Sequence, residues 1–256
     1  VGIQNGVILK VENITKKFPS KDDENIVVKD ISFEVRENEF LVILGPGYCG
    51  KTVLLNMIMN LLSPDSGNVY LEGDIMTKEK MGNKFSMIFQ KLGLMPWKTV
   101  MENVELGPKL RGEAKATRRE RAQKYIDLVG LTGFEKSFPY QLSGGMKQRV
   151  GIARAYTNEP EIMIMDEPFG QLDAQTRYNM EEELARVWQQ EKRTVIFVTN
   201  NIEEAAYLGD RILLLTKCPA QIKEIYNIDL PRPRNMTSMD FLQLRKKISD
   251  NTDLAL

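Results

Sequence analysis

The chain has no histidine, only two cysteines in 256 residues, and no excess charge, with 35 lysines and arginines against 35 aspartates and glutamates. Without histidine, imidazole acid–base catalysis and the commonest transition-metal ligand are both excluded. Cys49 and Cys218 are too few for a disulfide framework, and a reducing compartment suits them. A formal net charge of zero argues against a surface built to grip polyanions, so nucleic acid is not the expected partner. Long apolar runs are missing as well. Phe40–Leu44, Ile162–Met165, Val195–Val198 and Ile212–Leu215 all fall far short of the about 20 residues that cross a bilayer as a helix. No secretory signal pattern opens the chain, so the expected location is the cytosol.

What is present is a core. Apolar residues make up 42% of the chain, and the length suits one large α/β domain or a core with an inserted lobe. Val7–Val11 and Ile31–Val35 alternate as short strands across a turn-like stretch from Ser20 to Asn25, and so short a connection implies antiparallel pairing. Phe40–Leu44 reads as a buried strand. Lys51–Leu62 reads as a buried helix that ends at Ser63-Pro64-Asp65-Ser66-Gly67. A strand near Ser86–Phe89 is followed by helical segments at Thr99–Leu106, Thr117–Val129 and Ser143–Asn158. Apolar strands then resume at Ile162–Met165, Thr194–Val198 and Arg211–Leu215. Strands buried on both faces and separated by helices predict a mainly parallel sheet. The expected plan is a core over 1–91 and 159–218, a helical lobe over 92–158 and an extension over 219–256. In that extension Pro231-Arg232-Pro233-Arg234 breaks the chain before a last helix near Met239–Ile248.

Gly45-Pro46-Gly47-Tyr48-Cys49-Gly50-Lys51-Thr52 fits G-x-x-x-x-G-K-[ST] between an apolar strand and a helix. Such a loop turns backbone N–H groups and a helix's positive end toward phosphates, with Lys51 reaching the β- and γ-phosphates and the Thr52 hydroxyl meeting Mg²⁺. Ile162–Met165 delivers Asp166 and Glu167 to a strand's carboxyl end, where ligands of open α/β sheets bind. Asp166 suits a water-mediated Mg²⁺ contact and Glu167 suits polarising the attacking water. Two adjacent acids alone would read as a solvated turn; the upstream phosphate loop changes their meaning. Leu142-Ser143-Gly144-Gly145-Met146-Lys147-Gln148-Arg149 opens another helix with exposed N–H donors suited to an anion.

That last segment, placed ahead of the second carboxylate strand, resembles the signature of the ATP-binding cassette family, and the resemblance covers nearly the whole chain. It implies a P-loop NTPase α/β core with an N-terminal antiparallel β subdomain and an inserted helical subdomain. In the family two ATPase subunits close head to tail, so Ser143, Gly144 and Gly145 of one subunit face the γ-phosphate held by the other. Phe18 matches the aromatic that stacks on adenine, although a strand-core role explains it too. Gln90 matches the glutamine that touches Mg²⁺ and senses the membrane partner. Asp173 matches the loop that signals between subunits, and helix capping explains it almost equally. The implied partners are ATP with Mg²⁺, a second ATPase subunit (identical or related), transmembrane permease subunits and an extracytoplasmic solute-binding protein. The implied place is the cytoplasmic face of the membrane. Leu94–Val100, Glu203–Arg211 and Asp229–Arg234 are similar to importer subunits for nitrate, sulfonates and taurine.

Three positions depart from the family pattern. Thr199-Asn200-Asn201 stands where threonine, histidine and aspartate are usual, Gly47-Tyr48 replaces a serine-glycine pair, and Val53 replaces a hydroxyl residue beside the α-phosphate. Asn200 can donate through its amide but is never charged. The expectation is a transport ATPase with near-normal ATP binding and weak hydrolysis. The alternatives are a hydrolysis-impaired regulatory subunit and a soluble cassette ATPase outside transport.

Overall fold

The computed structural model describes residues 6–19, 24–77 and 82–252. Residues 1–5 of the expected core, 253–256 of the expected extension and 20–23 of the expected turn lie outside the described residues. Two compact units divide the chain: Val1–Gly82 with Arg193–Leu256, and Asn83–Lys192.

The first unit carries two sheets. Its antiparallel sheet runs in the order β2-β1-β4-β5, from β1 (Val7–Pro19), β2 (Glu24–Arg36), β4 (Ser66–Leu71) and β5 (Asp74–Ile75). Each of the first two strands has 13 residues, far longer than the alternating cores at Val7–Val11 and Ile31–Val35. The extra length is carried by register shifts between Val11 and Ile14 and on to Lys16, near Asn13 (φ 50°) and Asp30 (φ 49°). A bulge bends a long ribbon, which a strict two-residue period does not predict. Glu24 and Asn25, expected in the turn, already belong to β2.

The other sheet centres on β3 (Phe40–Leu44), every residue of which is fully buried. It lies parallel to β8 (Thr194–Thr199) and to β9 (Arg211–Leu215), with Leu44 opposite Thr199 and Leu214. β10 (Ile222–Asn227) adds an antiparallel edge on β9. Helix α1 (Lys51–Ile58) follows β3 and stops four residues before the expected Leu62. Asn60 takes the left-handed conformation (φ 52°), while the Leu61 N–H donates to the Asn56 carbonyl (2.8 Å) and the Asn60 N–H to that of Met57 (3.0 Å). That is a Schellman stop, with asparagine in the place usually held by glycine.

The second unit pairs β6 (Phe85–Ile88) in parallel with β7 (Ile162–Asp166). Between them run α2 (Val100–Val104), α3 (Leu106–Leu110), α4 (Lys115–Leu128) and α5 (Gly144–Thr157), followed by α6 (Ala174–Gln190). α4 packs on α5 through the buried pair Tyr125 and Tyr156, ring centres 5.7 Å apart. The first unit also holds α7 (Ile202–Leu208) and α8 (Met239–Asn251). Parallel pairing of β3 with β8 and β9, and of β6 with β7, gives the mainly parallel α/β core that the apolar strands predict.

Candidate nucleotide site

β3 ends at the phosphate loop, and β8 fixes where that loop begins: the Gly45 N–H donates to the Thr199 carbonyl at 3.3 Å. Gly50 closes the loop at φ 113°, and a Cβ there would lie 2.9 Å from the Val27 carbonyl oxygen. Backbone conformation and crowding both demand glycine at that corner. The hydrogen-bond ladder of α1 starts with the Leu54 N–H on the Gly50 carbonyl (2.9 Å), so the N–H groups before it point out of the helix start.

Inside the curl, the Lys51 side chain is 5% exposed, and its Nζ donates to the carbonyls of Gly45 (2.9 Å) and Pro46 (2.7 Å). A cation thus already occupies the mouth of the loop. The tip is open. No atom approaches within 4 Å of where a Gly47 Cβ would stand, and Tyr48, at φ 60°, is fully exposed. Cys49 turns inward under Gly45, and burial pushes its thiol pKa up, which keeps it neutral. Thr52 is exposed and Val53 half-buried at the start of the helix.

Beside the loop, β8 ends at Thr199 and turns at the exposed Asn200. Asn201 caps α7, its Oδ1 accepting from the N–H groups of Glu203 (2.8 Å) and Glu204 (3.3 Å). The buried Thr199 hydroxyl donates to the buried Glu204 carboxylate at 2.6 Å and accepts from the Asn201 N–H at 3.0 Å. Sequence reading missed this pair; a carboxylate inside an otherwise apolar helix face was the available signal. Phe18, also in the first unit, is 36% exposed at the end of β1, with the Lys16 ammonium 5.7 Å from its ring centre. It lines a cleft of about 510 Å³ with Thr15, Pro19 and Asp65.

In the second unit, β7 delivers the half-buried Asp166 and Glu167, the latter in the left-handed region at φ 44°. A non-glycine residue held there stores about 1–2 kcal/mol of strain. The Gly170 N–H donates to the Glu167 carbonyl (3.1 Å), and a Cβ on Gly170 would stand 3.3 Å from the Gln90 amide nitrogen. Gln90 and Glu167 therefore meet around Gly170. Ser143 caps α5, its hydroxyl accepting from the Met146 N–H at 3.3 Å, with Ser143 and Gly144 both exposed. A Cβ on Gly145 would press on the Thr176 methyl at 3.2 Å. Asp173 caps α6 through the Thr176 N–H (3.0 Å) and hydroxyl (2.7 Å), and the backbone bond leads in holding its carboxyl below the usual aspartate range. The exposed helix start at Ser143–Gly145 and the Asp173 corner thus sit together.

Residues 28–170, more than half of the chain, match the family model described as ABC transporter. An uncharacterized ABC transporter ATP-binding protein of Methanocaldococcus jannaschii is 52% identical over 242 residues, covering 94% of this chain and 90% of the relative. The aliphatic sulfonates import ATP-binding protein of Bacillus cereus is 38% identical over 240 residues, covering 94% of each. Among solved structures, a dimeric bacterial ABC transporter cassette superposes with a TM-score of 0.74 at 31% identity, over 86% of this chain and 99% of that one. The same cassette in a post-hydrolysis dimer bound to ADP and Pi superposes equally well. A glycine-cornered loop gripping its own lysine, in a chain with these relatives, has one family to which it belongs: this protein is an ATP-binding subunit of the ABC transporter family.

Proposed function

We propose that this subunit powers the import of a small solute of the sulfonate type, docking from the cytoplasmic side onto separate membrane-spanning subunits fed by an extracytoplasmic binding protein. Similarity to the sulfonate import relative along 94% of both chains supports the solute class. No helix among the described residues is long and apolar enough to cross a membrane. The observation that carries the docking is a groove of about 320 Å³ in the second unit, walled by Phe89, Leu92, Leu106 and Leu110 with Arg154. Phe89 and Leu110 are 52% and 79% exposed, an unusual outlay of apolar surface for a face left in water. The groove adjoins Gln90, so a segment seated in it bears on the residue expected to sense the membrane partner.

At the nucleotide, the N–H groups of Gly47, Tyr48, Cys49 and Gly50 receive the phosphates, Gly45 and Pro46 (which has no N–H) carry the loop away from β3, and Lys51 exchanges their two carbonyls for phosphate oxygens. Val53 adds only an apolar wall, and Phe18 stacks on the base. The Thr52 hydroxyl at an exposed helix start, the Gln90 amide oxygen and the Asp166 carboxylate are oxygen donors of the kind Mg²⁺ selects, and that ion, when bound, neutralises charge on the phosphates. Glu167 polarises the attacking water. Ser143, Gly144, Gly145 and Asp173 of a second subunit close over the γ-phosphate.

Asn200 makes hydrolysis slow in this reading. Losing one well-placed polar group lowers a rate on the order of a hundredfold, while binding survives on the remaining donors. A second reading, an ATP-gated regulatory subunit whose partner supplies the hydrolytic site, is favoured by the same Asn200 with Tyr48 and Val53. Turnover of the parent beside Asn200→His tests the site: brisk turnover in the parent with no gain in the variant rejects it. Co-purification with a multi-spanning subunit, and stimulation by a sulfonate-loaded binding protein in vesicles, tests the transport role. Stimulation by a different solute class would discard the sulfonate assignment alone.

A further inference from the structure

Pro231-Arg232-Pro233-Arg234 breaks the sequence within an importer-like stretch, and the transport reading gives its two arginines no role. Yet Arg234 is 7% exposed, and taking a guanidinium out of water is costly unless its donors are met. Burial draws its pKa down to about 10. Its Nη1 donates to the carbonyls of Ala206 (3.0 Å), Tyr207 (2.9 Å) and Gly209 (2.6 Å), and its Nε to that of Leu230 (3.3 Å). The last carbonyls of a helix lack partners inside it and favour a cation, so Arg234 closes the end of α7. Arg232 donates from Nη2 to the Leu208 carbonyl and to Asp210 Oδ1, both at 2.6 Å.

Both arginines lead to β3. The Phe40 N–H donates to Asp210 Oδ2 (2.9 Å) and the Asp210 N–H to the Phe40 carbonyl (2.8 Å), which ties Arg232 to the strand's entry. At the strand's exit, α7 holds the Glu204 carboxylate on the Thr199 hydroxyl (2.6 Å), and the Thr199 carbonyl receives the Gly45 N–H (3.3 Å). Arg234 fixes α7 from its other end. Pro231 and Pro233 narrow the backbone freedom of the tail, which lowers the entropy lost in placing the two guanidiniums.

We infer that Arg234, with Arg232, is a positioning residue for the nucleotide loop: through α7, Glu204 and Thr199 it sets the corner at 199–201 and the Gly45 amide that begins the phosphate cradle. The inference rests on reading Gly45–Thr52 as the nucleotide loop. A tail that only stabilised α7 would shift the melting point and leave loop and ligand alone.

Amide hydrogen exchange on the full chain without nucleotide, followed at 45–52 and 199–208, separates the two roles when combined with titration by ATP and Mg²⁺. Arg234→Lys keeps the charge but loses the planar fork that spans several carbonyls. It is expected to speed exchange in both segments and weaken ATP binding about fivefold, the equivalent of roughly one hydrogen bond. Arg245→Ala, which removes the exposed pair with Glu203 (3.2 Å) on the same helix, serves as control and is expected to change neither. A folded Arg234→Lys with exchange at 45–52 and ATP affinity both at parent values overturns the inference. Should that variant not fold, Arg232→Lys, which alters the Asp210 arm and one carbonyl at the end of α7, is read by the same two outcomes. A parent chain that failed to bind ATP would sink the nucleotide reading, yet exchange at 45–52 would still decide whether the tail holds the loop.

Discussion

In the proposed nucleotide site, Lys51 meets an incoming phosphate with its ammonium already bonded to the Gly45 and Pro46 carbonyls. Phosphate oxygens therefore replace neutral acceptors with charged ones, which turns an ammonium–carbonyl contact into an ion pair. Lys51→Ala removes that gain and leaves two carbonyls facing the phosphates. ATP affinity is expected to fall by about tenfold or more, read by titration, with the fold intact by circular dichroism. Cys49 illustrates the opposite use of burial. Its thiol is buried and its pKa raised, so the reactive thiolate is scarce near neutral pH. Cys218 is exposed. Iodoacetamide at mildly alkaline pH is expected to label Cys218 first, and peptide mapping that found Cys49 labelled at an equal rate would contradict the buried geometry of the loop.

The elements show which parts of the fold the sequence exposes. Apolar runs located β3, β7, β8 and β9 to within a residue or two, because strands buried on both faces need no pattern beyond hydrophobicity. The helix after the loop was overrun by four residues, since Leu61 and Leu62 continue its apolar character while the Asn60 stop is written in a single left-handed residue. Asn60→Gly is accordingly expected to hold or raise stability, whereas Asn60→Val should cost about 1–2 kcal/mol in urea unfolding, β-branched residues being poorly tolerated at positive φ. The candidate site could be proposed from the sequence where it is local. Gly45–Thr52, Ser143–Gly145 and the Asp166–Glu167 pair are contiguous words, whereas Thr199 with Glu204, and Arg234 with the end of α7, are contacts across turns that no spacing announces. Asp173 is a cap with a pH signature. Its carboxyl is held below the usual aspartate range by the Thr176 N–H and hydroxyl, so the stabilisation is complete above that range and fades as pH falls through the lowered value. The gap in melting point between the parent and Asp173→Ala should stay constant above about pH 5 and close below about pH 4.

At the scale of the molecule, the proposed slow hydrolysis has a consequence for assembly. The similar cassette has been solved as a dimer, and also as a dimer in a post-hydrolysis state bound to ADP and Pi. If Asn200 holds turnover down here, ATP-bound pairs of this chain outlive those of a histidine-bearing variant by the ratio of the two rates, on the order of a hundredfold. Parent protein in Mg²⁺ and ATP should then elute as a dimer on a timescale of minutes without any substitution at Glu167, while Asn200→His should revert to monomer as ATP is consumed. Overall neutrality, 35 positive against 35 negative side chains, removes any large net repulsion between copies, so moderate salt should alter this lifetime little. Equal dimer lifetimes for the two proteins, measured by light scattering after ATP is withdrawn, would mean that Asn200 does not govern release of the pair.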